Sequence, residues 1–125
     1  MNENEISQVV LDAAFKIHSA LGPGLFESAY KQCLAHELLK QDLLVEFEKP
    51  IPLIYKSKRM ELGFKADLAI EEKVLVEVKS VESLKDLHKK QLLTYLRLSG
   101  CKLGLLINFN EVLLKDGIKR IANNL

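Results

Sequence analysis

The feature that most constrains this chain is a short apolar strand with two charges inside it, Val74-Leu75-Val76-Glu77-Val78-Lys79-Ser80. A strand has period two, so Glu77 and Lys79 project from the same face. Charges on a half-buried face are costly unless they are paired or hold a metal. Ten residues before Glu77 stands Asp67, in a second strand-like run, Phe64 to Ile70. Glu71-Glu72-Lys73 between them reads as a hairpin loop. If Ile70 pairs with Val74, Asp67 falls opposite Glu77 and Lys65 falls opposite Lys79. A slip of one residue would set the apolar face of one strand against the charged face of the other. Two carboxylates facing each other at roughly 5 Å between Cβ atoms repel. A divalent cation between them reverses the sign of that interaction.

The bulk numbers exclude several classes. A chain of 125 residues, 48% hydrophobic and 28% charged, suits one globular domain with a single core. No apolar run approaches the roughly 18 residues of a membrane span, so no membrane partner is expected. The polar, acidic start Met1 to Glu5 does not read as a signal or transit peptide. Cys33 and Cys101 lie in apolar surroundings, far apart and without zinc-ligand spacing, as buried thiols in a reducing cytoplasm would. A net charge of +1 does not announce a nucleic-acid binder. Two local basic patches stand against it: Lys56-Ser57-Lys58-Arg59, and Lys85 with Lys89 and Lys90.

Helical spacing of Ile6, Val9, Val10, Ala13 and Ile17 predicts a helix from about Glu5 to Ala20, broken by Gly22-Pro23-Gly24. A second helix is expected from Leu25 to Lys40, with Phe26, Tyr30, Leu34 and Leu38 in one stripe. Extended segments follow at Val45 to Phe47 and Ile51 to Tyr55, where Pro50 and Pro52 suggest an edge strand. Lys56-Ser57-Lys58 turns the chain into the hairpin Met60 to Ile70 and Val74 to Ser80. A third helix runs from Leu84 to Leu98 and stops at Gly100. Lys102 to Phe109 is a buried strand, expected parallel to Val74–Ser80 through a right-handed crossover. Val112 to Asn124 holds a further strand and a short helix. The fold class is α/β with a mixed sheet.

Asp67, Glu77 and Lys79 form one chemical unit. Magnesium takes oxygen ligands and keeps several waters. Two carboxylates and a backbone carbonyl such as that of Val78 leave room for a phosphate oxygen and a water. The cation lowers the pKa of that water and offsets charge at phosphorus, while Lys79 orients the nucleophile or stabilises the transition state. On the third helix Gln91 and Tyr95 share a face, with His88 one turn earlier. Glu27, in the first turn of the second helix, offsets the macrodipole or supplies a third carboxylate. A solvated charge pair and an amphipathic helix are the plain readings of the same residues.

Taken in order, the motifs resemble the GxxExxY proteins, a branch of the PD-(D/E)xK nuclease superfamily. Gly24-Leu25-Phe26-Glu27-Ser28-Ala29-Tyr30 carries the name motif, after His18 and Leu21-Gly22-Pro23. Lys65-Ala66-Asp67-Leu68, Val76-Glu77-Val78-Lys79 and Gln91 to Leu96 match the nuclease-like core, with Gly104 to Phe109 and Ile118 to Ile121 beyond. The resemblance implies an αβββαβ core, a Mg2+ (or Mn2+) site at Glu27, Asp67 and Glu77, and a RecB-like helix bearing Gln91 and Tyr95 beside Lys79. Lys65 stands where such proteins often carry Arg, keeping the charge without bidentate phosphate recognition. With Lys85, Lys89 and Lys90 it is a candidate phosphate contact. The leading reading is a metal-dependent phosphodiesterase acting on DNA rather than RNA, with a homodimer or protein partner completing the groove. The alternatives are a catalytically silent binding or scaffold module and a hydrolase of small phosphodiesters.

Overall fold

The computed structural model describes residues Met1–Leu125. Helix α1, Glu3–Leu21, begins two residues earlier than its apolar periodicity suggests. Asn2 supplies the reason: its side chain accepts the Glu5 N–H at 2.8 Å, and the Glu5 carboxylate accepts the Asn2 N–H at 2.9 Å. Helix α2 spans Glu27–Leu39 and buries Tyr30, Leu34, Ala35 and Leu38. Phe26, expected on that stripe, is instead the N-cap residue and is 86% exposed. Its extended backbone turns the ring away from the face that Tyr30 buries.

Strand β1, Val45–Tyr55, joins the two predicted extended segments into one. It lies at the sheet edge, where the missing N–H groups of Pro50 and Pro52 deprive no neighbouring strand of a donor. Lys56 and Ser57, both with positive φ, turn it into β2, Lys58–Ile70. Glu71 and Glu72, again with positive φ, lead into β3, Val74–Lys79. Helix α3, Asp86–Ser99, ends on Gly100 in the left-handed conformation. Strand β4, Leu103–Asn108, pairs parallel to β3 as expected. In the tail a 3-10 turn, Leu114–Gly117, precedes β5, Ile118–Ala122, which pairs antiparallel to β4. The sheet order is β1-β2-β3-β4-β5.

Helices α1 and α2 cover one face. Ile6, Val10, Leu34 and Leu38 pack there on Leu68, Val76, Val78, Leu105 and Ile107. Helix α3 covers the other, with Leu92, Tyr95 and Leu96 over Ala66, Ala69, Leu75 and Leu106. A Cβ at Gly104 would meet the Leu92 side chain at 2.9 Å, so this glycine lets α3 sit close to the sheet. Since Leu92 and Tyr95 are one turn apart, the same approach seats Tyr95 over the sheet.

Candidate active site

The β2–β3 hairpin forms in the expected register, with Ile70 opposite Val74, Ala69 opposite Leu75 and Leu68 opposite Val76. The ladder stops there, because Asp67 stands in the fork. Its Oδ2 accepts the Val78 N–H at 2.8 Å, a side-chain bond in place of the next backbone one. The face alternation of β2 breaks at the same point. Ala66 and Ala69 both belong to the core under α3, although strict alternation would separate them. Opposite Asp67 on β1, Glu48 has φ +52°, outside the strand region. Lys65 therefore does not come to lie opposite Lys79. It pairs with Pro50 on β1 and is solvent-exposed, beyond the point where β2 and β3 separate.

Glu77 is 5% exposed, and its Oε1 has no hydrogen-bond partner. Burial raises its pKa to about 9; the adjacent Asp67 reinforces the shift and Lys79 opposes it. Lys79, half-buried at the end of β3, is beside Asn108 of β4 and makes no ion pair. Tyr95 is buried, and burial followed by the charges of Glu77 and Asp67 raises its phenol pKa. It thus borders the carboxylate pair.

The other predicted residues are more dispersed. Glu27 is exposed at the first position of α2, where its Oε1 accepts the Ser80 N–H at 3.4 Å. That contact ties it to the residue after Lys79. No three acidic, His or Cys side chains converge as a cation cage, so Asp67 and Glu77 stand as a pair without Glu27. Gln91 is exposed and makes no side-chain hydrogen bond, one turn from Tyr95. Lys85 and Lys90 are not fully buried, and Lys89 is 3.7 Å from Asp86. His88 accepts the Lys85 N–H at 3.0 Å and so helps begin α3.

One residue of this site was not anticipated. The Lys31 ammonium lies 3.4 Å from Asp67 Oδ1 and 3.4 Å from Glu48 Oε1, over the Phe47 ring. Burial would lower its pKa, but the two carboxylates outweigh that and raise it. The available signal was spacing: Lys31 is four residues after Glu27 and shares its face of α2. Tyr30 has a supporting place. Its hydroxyl donates to Gly22 O at 2.6 Å, accepts the Leu25 N–H at 3.1 Å, and its ring stacks on Phe109 at 4.6 Å. It fastens the turn that delivers Glu27 to the end of β3.

The donor set suits a hard divalent cation: two oxygen-bearing side chains at one strand fork, one with an unpartnered buried oxygen. Consistent with this, residues 4–121 match the sequence model of the PD-(D/E)XK nuclease superfamily. The chain belongs to that superfamily. Its mixed five-stranded sheet with three helices is the α/β architecture of such nucleases. Among solved structures the chain is similar to one titled "Crystal structure of SSO0001", at 22% identity and a TM-score of 0.47. The likeness covers 93% of this chain and 66% of that one, slightly under two thirds of its length. No curated protein matches. No helix of this nuclease-family chain is long and apolar enough to cross a membrane.

Proposed function

We propose that this chain is a metal-dependent phosphodiesterase of the GxxExxY branch that hydrolyses DNA with Mg2+ or Mn2+. The observation that carries the reading is Glu77: a carboxyl group buried on β3, unpartnered at Oε1, beside Asp67 and two residues from Lys79. A buried acid without a partner costs several kcal/mol in a fold with no use for it. Asp67 and Glu77 would hold the cation, with Glu27 kept close to the end of β3 by its contact with the Ser80 N–H. A bound cation supplies an acidified water and offsets charge on the phosphate.

The chain's own groups do the rest. Val78 N–H and Lys31 fix the Asp67 carboxylate in one orientation. Water attacks phosphorus and loses a proton to solvent, the bond to the leaving oxygen breaks, and that oxygen takes up a proton from solvent. The Lys79 ammonium, free of any carboxylate partner, faces the extra negative charge formed as the water adds. Tyr95 closes the apolar side of the pair and limits bulk water there.

The test is cleavage of single- and double-stranded DNA and of RNA by wild type, Glu77→Gln and Lys79→Ala, purified in parallel, with Mg2+ or Mn2+. Lys79→Ala should lower cleavage at least ~100-fold while the protein stays folded. Equal rates for wild type and Lys79→Ala would refute the assignment. Binding without turnover by wild type on every substrate would identify a scaffold instead.

A further inference from the structure

Beyond the fork, β1 and β2 leave the sheet together. β3 pairs with β2 only at Leu68–Ile70, and every residue from Ile54 to Lys65 is exposed. The hairpin thus projects as a two-stranded ribbon about 20 Å long. Its composition differs from the rest of the chain. Ile54–Lys65 carries four cations, Lys56, Lys58, Arg59 and Lys65, against the single acid Glu61, for a net +3. The whole chain is +1, so the remainder is −2. None of the four cations makes an ion pair.

The ribbon's root meets the candidate active site. The Phe64 ring lies 5.4 Å from that of Tyr95, which borders Asp67 and Glu77. Lys58 and Phe64 lie on one face, with Tyr55 opposite Lys58. Between them a register shift sets Met60, Glu61 and Leu62 against the single residue Leu53, a bulge that leaves Met60 and Leu62 exposed. Arg59 and Lys65 project from the other face. Cations on both faces suit a position between two walls of phosphate more than a path along one strand. The major groove of B-form DNA, about 12 Å wide, admits a two-stranded ribbon and presents thymine methyl groups to apolar side chains such as Met60 and Leu62. The deep, narrow major groove of A-form RNA does not.

We infer that the ribbon Ile54–Lys65 is a duplex-holding arm that enters the major groove of double-stranded DNA and positions a backbone phosphate at the fork. The inference deepens the proposed nuclease reading by naming the strandedness of its substrate. The cations sit on a hairpin outside both cores, so their removal leaves the packing of the sheet intact.

The experiment is fluorescence anisotropy with a labelled DNA duplex, the matching single strand and an RNA duplex, in EDTA so that nothing is cleaved, at several salt concentrations. Wild type and Glu77→Gln should both prefer the DNA duplex. The variant Lys56→Ala/Lys58→Ala/Arg59→Ala should bind it at least ~10-fold more weakly, and its log-affinity against log-salt slope should be shallower by about 2–3, near 0.9 for each phosphate that is no longer neutralised. Its metal-induced rise in melting temperature should match that of wild type, which shows the fork to be intact. Should the triple variant misfold, Lys58→Gln/Arg59→Gln in the same titration should show about two thirds of that slope change. Unchanged duplex affinity in a folded variant, or preference for single strands or RNA, overturns the arm. So does a wild-type dimer in sedimentation that Leu62→Lys dissociates, because a second copy would then cover the ribbon. Duplex binding abolished in the variant while wild type cleaves nothing would leave the arm standing and remove the nuclease reading. Wild-type binding and cleavage by the variant would do the reverse.

Discussion

Asn108 and Glu77 are both buried polar residues on neighbouring parallel strands, yet they are treated in opposite ways. Asn108 is fully buried and fully engaged. Its Oδ1 accepts the Val81 N–H at 3.0 Å, and its Nδ2 donates to Val81 O at 3.0 Å. The amide thereby fixes the chain just after Lys79. Glu77, 5% exposed, has an acceptor oxygen with no donor and a like charge next to it. A satisfied buried polar group rigidifies a fold, and an unsatisfied one opposes it. The sheet therefore has a rigid frame at Asn108 and a site of stored electrostatic cost at Glu77. That contrast is what a resident cation at the fork would require.

The comparison breaks most visibly in stability. Replacing Asn108 with Ala leaves the Val81 N–H without a partner and its C=O with only the Asn110 amide as donor, and urea denaturation should show a loss of about 2 kcal/mol. Glu77→Gln should do the opposite in metal-free protein, raising stability or leaving it unchanged. It should also abolish most of the rise in melting temperature that Mg2+ or Mn2+ gives wild type through preferential binding to the folded state. Comparable losses in both variants would mean that Glu77 is part of the frame.

A pH series sharpens the same point. A carboxyl group with a higher pKa in the folded state than in the unfolded state binds its proton more tightly when native. Its stabilising effect is complete below the ordinary 4.5 and is lost as pH rises toward about 9. Metal-free wild type should therefore lose stability across that window, and Glu77→Gln should lose less. Parallel curves for the two proteins would contradict the burial of an uncompensated acid.

Smaller effects follow at the margins of the site. Lys31→Met removes the cation from Asp67 and should cost about 1 kcal/mol in metal-free protein, while enlarging the stabilisation that Mn2+ gives. A metal response no larger than wild type would show that Lys31 acts only as a packing group. Lys89→Ala with Lys90→Ala should change stability by under about 0.5 kcal/mol, and should weaken DNA binding less than removal of the ribbon cations. The reverse order of affinities would move the substrate path to α3.

Much of the architecture follows from short-range patterns. A three-residue loop and period-two alternation are enough to align Ile70 with Val74, because any slip would bury the wrong face. The helix–Gly100–strand order likewise carries the chain back to a parallel partner. Periodicity fails at Lys65, since it extends the ladder past Asp67. A carboxylate that takes the place of a strand neighbour is a side-chain event, and a period-two pattern holds no trace of it. Phe26 fails for a related reason, because an apolar residue at an N-cap has the spacing of a core residue but not its backbone.

The residue types and their spacing on adjacent strands were enough to set the hairpin register and so to bring Asp67 and Glu77 to the same end of it, because backbone hydrogen bonding imposes register locally. Only tertiary packing decided how each behaves. Helix α3 closing over the sheet buries Glu77 and raises its pKa. Helix α2 brings Lys31 to Asp67 across 36 residues of sequence. Desolvation and long-range charge pairing depend on what surrounds a side chain in space, and a linear pattern of residues does not contain that quantity.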